Sequence, residues 1–430
     1  MRLVLYTGKG GVGKTTTAAA TGALAARRGL RTLVLSADAA HSLGDVLDAR
    51  LTSEPRRLAP GFDALEVDAR HVVEAHWGRV RSWLVELLRH QGIEEVVADE
   101  LALLPGAEEL ATLVSVETWA AGGDYDLIIV DCAPTGSALR LFTLPEVAHS
   151  SLRWLLRLQR AAAHVVEPIA RGLVGAPLPT ADVFAEADRL VYKTLHRLRA
   201  RLLSNETSVR LVVTPETMVI DEARRALTDL CLFQLASDAV VINRLYPEEA
   251  CREPFFREWG QTQAERRREV EETFAPMACL SAPLQADEVR GVAALAEHGE
   301  LVFGALDPAA RLGTPIRLRF EREASGARVR LPLPGLDPSE LEVVRVEDEL
   351  VIGVAGRRRR IALPAGFSKL AVSRVRYTEG QLQVSFSEST PQSESTPRSP
   401  IGLDSPESRH AAPTGDALSP PGPPGTSRLA

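Results

Sequence analysis

Cysteine is scarce in this sequence. Only Cys132, Cys231, Cys251 and Cys279 occur in 430 residues, and none falls in a CxxC pair. That spacing signals neither a zinc clip nor a disulfide framework, and it reads as reduced, buried thiols of a cytosolic protein. Long apolar runs are missing as well. No uncharged stretch approaches the roughly 20 residues that span a bilayer, so no transmembrane segment is expected. The first apolar run, residues 3–6, passes straight into glycine and lysine, unlike a secretory leader. Excess positive charge is also absent. Fifty lysines and arginines face 57 acids, for a net charge of −7, which argues against nucleic acid as the main partner. The remaining composition, 45% apolar and 25% charged, suits a soluble, cytoplasmic chain with room for two or three domains.

Short runs rich in Val, Ile and Leu recur at 3–6, 32–35, 127–130, 211–213 and 240–242. Runs of this kind mark strands buried on both faces, and helical stretches alternate with them. The pattern predicts an α/β domain with a mostly parallel sheet over about 1–305. Within it, stretches such as 71–90 and 147–163 carry apolar residues at helical spacing and suggest a helical subdomain over about 68–120 and 145–205. Their apolar stripes either pack on the sheet or open as a groove for a client. From 314 to 387 the period changes to two. Ile316, Leu318 and Phe320 alternate with arginines, and Leu382, Val384 and Phe386 alternate with polar residues. This predicts a small antiparallel β-sandwich. Its Arg357–Arg360 run reads as a solvated strand and turn. Residues 388–430, rich in Ser, Pro, Thr and Gly, are expected to be disordered.

The strongest motif is Gly8-Lys9-Gly10-Gly11-Val12-Gly13-Lys14-Thr15, followed by Thr16. It matches G-x-x-x-x-G-K-[ST] at every fixed position, with a predicted strand before it and an alanine-rich helix after it. Such glycines let backbone N–H groups approach phosphate oxygens, and the helix start adds its positive end. Lys14 is placed for the β and γ phosphates, and the Thr15 hydroxyl for Mg²⁺. Lys9 is not required by the pattern. It could act as a second cation at the transferred phosphoryl group, reaching across from a facing subunit as an arginine finger does. A second run, 127–130, ends in Asp131, which suits water-mediated contact with Mg²⁺, and Gly136 follows where a switch loop needs freedom. A third run ends near Asp38, at the strand edge where ligands bind, where it could orient or deprotonate the attacking water. His41, nearby, is given no chemical role.

GKGGVGKTT at 8–16, DAAHSLGD at 38–45 and DCAPTGSALRLFTLPE at 131–146 together resemble the arsenite-pump and tail-anchored-protein-targeting ATPases, a branch of the deviant P-loop class. LPGAEEL at 104–110, VVINRL at 240–245 and PLQADEVRG at 283–291 fit the same branch. The resemblance implies that Lys9 is the intersubunit lysine and Asp38 the water-activating acid. It places Asp45 and His41 in the first switch loop, and Asp131, Pro134 and Gly136 in the second. It further implies that Asn243 reads the adenine edge, that Pro283 packs near the base, and that the chain works as a homodimer. LPLPGLDPSELEV at 331–343 resembles the α-crystallin-like sandwich carried by some members. Departures are Ala39 in place of the usual proline, Ser137 and Ala138 in place of histidine and threonine, no zinc CxxC, no arsenite-type cysteine cluster, and only three methionines.

Three functions are compatible with these residues. One is an ATP-driven chaperone or targeting factor whose dimer binds hydrophobic protein segments. Another is the ATPase subunit of an arsenite efflux pump acting through a membrane-bound partner. The third is a scaffold switched by ATP with negligible turnover.

Overall fold

The computed structural model describes residues 1–36, 42–90, 92, 94, 107–132, 182, 183, 186, 194, 196–323, 326–334, 336–354, 357–368 and 370–388. The chain opens with β1 (Arg2–Thr7), α1 (Lys14–Arg27), β2 (Thr32–Ser36) and α2 (Ser42–Leu47). A hairpin of β3 (Arg56–Ala59) and β4 (Phe62–Glu66) follows, then α3 (Ala69–His90), α4 (Ala107–Gly122) and β5 (Leu127–Asp131). Next come α5 (His196–Leu202), β6 (Thr207–Val213), α6 (Thr217–Leu232) and β7 (Ser237–Leu245). The unit closes with α7 (Glu248–Arg252), α8 (Arg257–Phe274), β8 (Ala278–Pro283) and α9 (Val292–Phe303).

Eight strands form one sheet in the order β3-β4-β2-β5-β1-β6-β7-β8. All pairings are parallel except the β3–β4 edge. Every residue of β2, β5 and β6 is buried. These strands therefore lack alternation because helices cover both faces. Alanine-rich α1 lies against the sheet with Ala18, Ala19, Ala23 and Ala25 at 0–2% exposure. α6 buries Val219, Ile220, Ala223, Ala226, Leu227 and Leu230, the i, i+3, i+4 spacing of a helix with one apolar face. The stretch expected to be helical over 71–90 is α3, whereas 147–163 lies outside the described residues.

The carboxy-terminal part is antiparallel. β9 (Arg319–Glu323), β10 (Gly326–Pro332), β14 (Leu370–Thr378) and β15 (Gln381–Glu388) make a sheet in the order β14-β15-β10-β9. β11 (Leu341–Val346), β12 (Glu349–Val354) and β13 (Arg357–Ala362) make a second sheet in sequence order. Val329 pairs with Val384 across β10 and β15, and both are buried with Leu331, Leu382 and Phe386. Phe367 stands edge-on to Phe386, their ring centres 5.2 Å apart. The arginine run lies on β13, where Arg358 and Arg360 pair with Glu342 and Glu349.

The period-two pattern does not switch sheets where expected. Ile316 exchanges both backbone hydrogen bonds with Ser237 at the start of β7, and only from Arg319 does the chain join the β9–β10 sheet. The two parts also meet along α6. Thr228 Oγ1 donates to the Pro334 carbonyl at 3.1 Å, and the Arg359 guanidinium sits 4.4 Å from the Phe233 ring centre.

Candidate functional site

β1 occupies an inner position of the large sheet, and the glycine-rich loop leaves its carboxy-terminal end to enter α1. Parallel strands collect ligands at this edge. Gly13 adopts a left-handed conformation, φ 89°, as the residue before the helix, and no side chain caps the first turn. The first N–H groups of α1 thus face the loop without a side-chain acceptor, which suits an anion. Lys14 is 6% exposed, and its Nζ donates to the Lys9 carbonyl at 3.1 Å. The loop is therefore wrapped around its own ammonium group. The Lys9 side chain makes no hydrogen bond or ion pair among the described residues, while its backbone serves Lys14.

Two further elements stand beside the loop. Thr15 Oγ1 lies 3.1 Å from Ser42 Oγ at the start of α2. Asp131, fully buried at the end of β5, stands in register with Tyr6 of β1 and Ser36 of β2. Two hydroxyls and a carboxylate are hard oxygen donors of the kind Mg²⁺ prefers, so the residues present fit that ion. Asp45 in the first turn of α2 is held by its backbone, whose carbonyl accepts from Arg290 Nε at 3.1 Å. Asp38, His41, Pro134 and Gly136 lie outside the described residues.

Asn243 approaches the loop from β7. Its Nδ2 donates to the Val12 carbonyl at 2.8 Å, and its Oδ1 accepts from Arg244 N at 2.9 Å. Turning the amide over would set its oxygen against the Val12 oxygen, so this orientation is the one the chemistry permits. One Nδ2 hydrogen remains for another acceptor. Asn243, Pro283, Gly13, Thr16 and Asp45 line a common cleft of about 800 Å³. A second cleft of about 480 Å³ shares Arg244 and Leu284 with it and runs to Tyr246 and Trp259. Sequence reasoning missed two participants, Ser42 and Arg244. Ser42 sits inside the DAAHS segment, four residues after Asp38. Arg244 has a positive φ of 58° beside Asn243, which no local pattern announces.

The profile of the anion-transporting ATPase family matches residues 1–304, which take in every strand of the large sheet and the whole loop. The chain belongs to that family. As a member of the anion-transporting ATPases it is an ATPase of the P-loop kind, with ATP as its nucleotide. A second profile, described as the HSP20-like domain found in ArsA, matches residues 324–386. A protein of Aquifex aeolicus named as an arsenical pump-driving ATPase is 31% identical over 399 residues, covering 90% of this chain and 100% of its own length. One of that name from Chlorobaculum tepidum is 31% identical over 394 residues, 90% of this chain and 96% of its own. An ATPase ASNA1 homolog of Paramecium tetraurelia is 27% identical over 311 residues, 70% of this chain and 92% of its own.

His298 of α9 also lines the larger cleft. It is 5% exposed, and among the described residues its Nδ1 has no hydrogen-bond partner. Burial lowers its pKa below the ordinary 6.5. As pH falls past that value the unfolded chain binds the proton first. The stability contributed by neutral His298 is thus complete above 6.5 and is lost as pH falls toward the depressed folded value. Thermal melts taken from about pH 7 down to about pH 5 are expected to fall less steeply in His298→Gln than in the wild type. Identical slopes would remove His298 from the account.

Proposed function

We propose that ATP hydrolysis at this site drives closure of a homodimer that binds hydrophobic protein segments. In this reading residues 1–305 form the ATPase unit, with a helical subdomain for the client. Residues 314–387 form the β-sandwich module. Gly8, Gly10, Gly11, Val12 and Gly13 present backbone N–H groups to the phosphates, and Lys14 and Thr16 join them there. Asn243 braces the loop through Val12 and offers its remaining N–H to the base, with Pro283 beside it. Mg²⁺ held by Thr15, and through water by Asp131, supplies positive charge to the phosphoryl oxygens. Asp38 orients the attacking water, and Asp45 carries the switch loop next to the Thr15–Ser42 contact.

The observation that carries the dimer is Lys9. Its side chain makes no hydrogen bond or ion pair among the described residues, although it belongs to the phosphate loop itself. A cation in that place is available to a nucleotide held by a facing subunit. Exposed apolar side chains support a covered surface nearby. Phe255 and Trp259 are 77% and 56% exposed, and Trp259 lines the adjoining cleft.

Complementation tests the arrangement. Lys9→Ala and Lys14→Ala are each expected to fall well below wild-type turnover on their own. Mixed in equal amounts, they form heterodimers in which one site has both its own Lys14 and the other subunit's Lys9. Steady-state turnover should then recover to roughly a quarter of wild type, as random pairing in a two-fold dimer predicts. No recovery on mixing would rule out a lysine acting in trans.

The names of two relatives favour a second reading, an ATPase subunit of arsenite efflux. Arsenite prefers thiolates, and burial raises the pKa of Cys132, with Asp131 adding to the rise, and that of Cys231. Among the described residues no helix is long and apolar enough to cross a membrane, so this reading requires a membrane-bound partner. Stimulation of turnover by arsenite would favour it over the chaperone reading.

A further inference from the structure

The other edge of the large sheet carries a basic cleft. Its volume is about 540 Å³, and Arg311, Arg317, Arg319, Gln234 and Phe320 are among the residues lining it. It lies where the segment after α9 crosses toward β9, beside the amino-terminal starts of β6 and β7. The phosphate loop is at the opposite ends of these parallel strands.

The three guanidinium groups are poorly neutralised. Arg317 Nη1 donates to Asn205 Oδ1 at 3.0 Å, a neutral acceptor. Arg311 donates to the Asn205 backbone carbonyl, while its Nε is buried with no hydrogen-bond partner among the described residues. Arg319 has no ion pair among the described residues and stands directly across from Arg330 on β10. The acid in the cleft, Glu321, pairs at 3.0 Å with Arg330. A buried acid beside the same segment, Asp238, which accepts from Leu312 N, is engaged by Arg2 at 3.1 Å and by Arg210 at 3.5 Å. Glu206, whose side chain is 66% exposed, faces the terminal amine at 3.7 Å.

Three like charges around one cleft repel each other unless an anion joins them. Guanidinium forks match the paired oxygens of phosphate and grip them with two parallel hydrogen bonds. A cleft of this size admits a small molecule, and three cations call for more than one negative charge. We propose that this cleft binds a small anion bearing a diphosphate group, held by Arg311, Arg317 and Arg319, at a site separate from the phosphate loop. Such an anion ties the connecting segment to the start of β9. This site does not depend on the dimer reading.

Calorimetric titration of inorganic pyrophosphate into the full chain tests it, with Lys14→Ala present throughout to disable the phosphate loop. One equivalent is expected to bind. Adding Arg317→Gln and Arg319→Gln should weaken binding by roughly tenfold or more, the scale of lost charged hydrogen bonds. Arg319→Gln alone, at an exposed position, should weaken it by a smaller factor and guards against misfolding of the combined variant. Absence of binding to the Lys14→Ala chain, or equal affinity in all three proteins, overturns the proposal.

Discussion

Replacing Gly8 by alanine is expected to lower ATP turnover by about two orders of magnitude or more, the effect of displacing reacting groups by an ångström. A Cβ at Gly8 would stand 2.3 Å from the Val212 carbonyl oxygen, well inside the 3.0 Å that real side chains respect. Val212 is fully buried in β6, an interior strand paired on both sides. It cannot retreat without breaking a ladder, so the loop must move instead. The same loop is fixed at its other end, where Asn243 Nδ2 holds the Val12 carbonyl. A displaced Gly8 therefore shifts the Lys9 carbonyl that Lys14 Nζ contacts, and with it the lysine aimed at the phosphates. Turnover and nucleotide affinity measured on the purified variant decide the matter. Near-normal turnover would mean that the close approach at Gly8 does not set the loop's position.

Asp238→Ala is expected to lower stability by about 3–5 kcal/mol, the cost of leaving buried charge without its partner. The Asp238 and Arg210 side chains are both fully buried, and Arg2 is only 14% exposed. Burial pulls the Arg2 pKa down to about 10, and Arg210 and Arg311 add to the fall while Asp238 opposes it. Without the carboxylate these guanidiniums face each other in a poorly solvated space. Arg210 keeps acceptors at the Pro308 and Ala310 carbonyls, 2.8 and 2.9 Å away, but these carry no full charge. Asp238→Asn, which preserves shape and some hydrogen bonding, should lose less. Thermal or urea melts of both variants test the ranking, and an Ala variant as stable as the wild type would show that the cluster is not held by its acid.

The central sheet was legible because β1, β2, β5, β6 and β7 are runs of Val, Ile and Leu buried on both sides. β4 was less so, since Asp63 breaks its apolar run. That acid is buried only because Arg57 and the Tyr125 hydroxyl, 2.9 Å away, satisfy it. β8 reads Ala-Cys-Leu-Ser-Ala-Pro and is only partly buried, so it lacks the volume that marks a core strand. The alternation around Ile316 was visible, but its partner, Ser237, lies in another sheet, and alternation alone carries no address. At the site, the loop from Gly8 to Thr15 was readable because its chemistry is local. The hold of Asn243 on Val12 spans 231 residues, and the Thr15–Ser42 contact spans 27. Such contacts depend on topology, which spacing along the chain does not encode.

α6 starts just beyond the end of β6, after Thr214, Pro215 and Glu216, which line the cleft that adjoins the nucleotide pocket. Farther along, its Thr228 and the following Phe233 bear on the β-sandwich. A helix of 16 residues is a rod about 24 Å long at 1.5 Å per residue. Tilting it by about 5° swings its far end by about 2 Å. The β-sandwich rides near the outer end of this rod, and the nucleotide-side loop holds the inner end, so a small tilt at the cleft would be enlarged at the module.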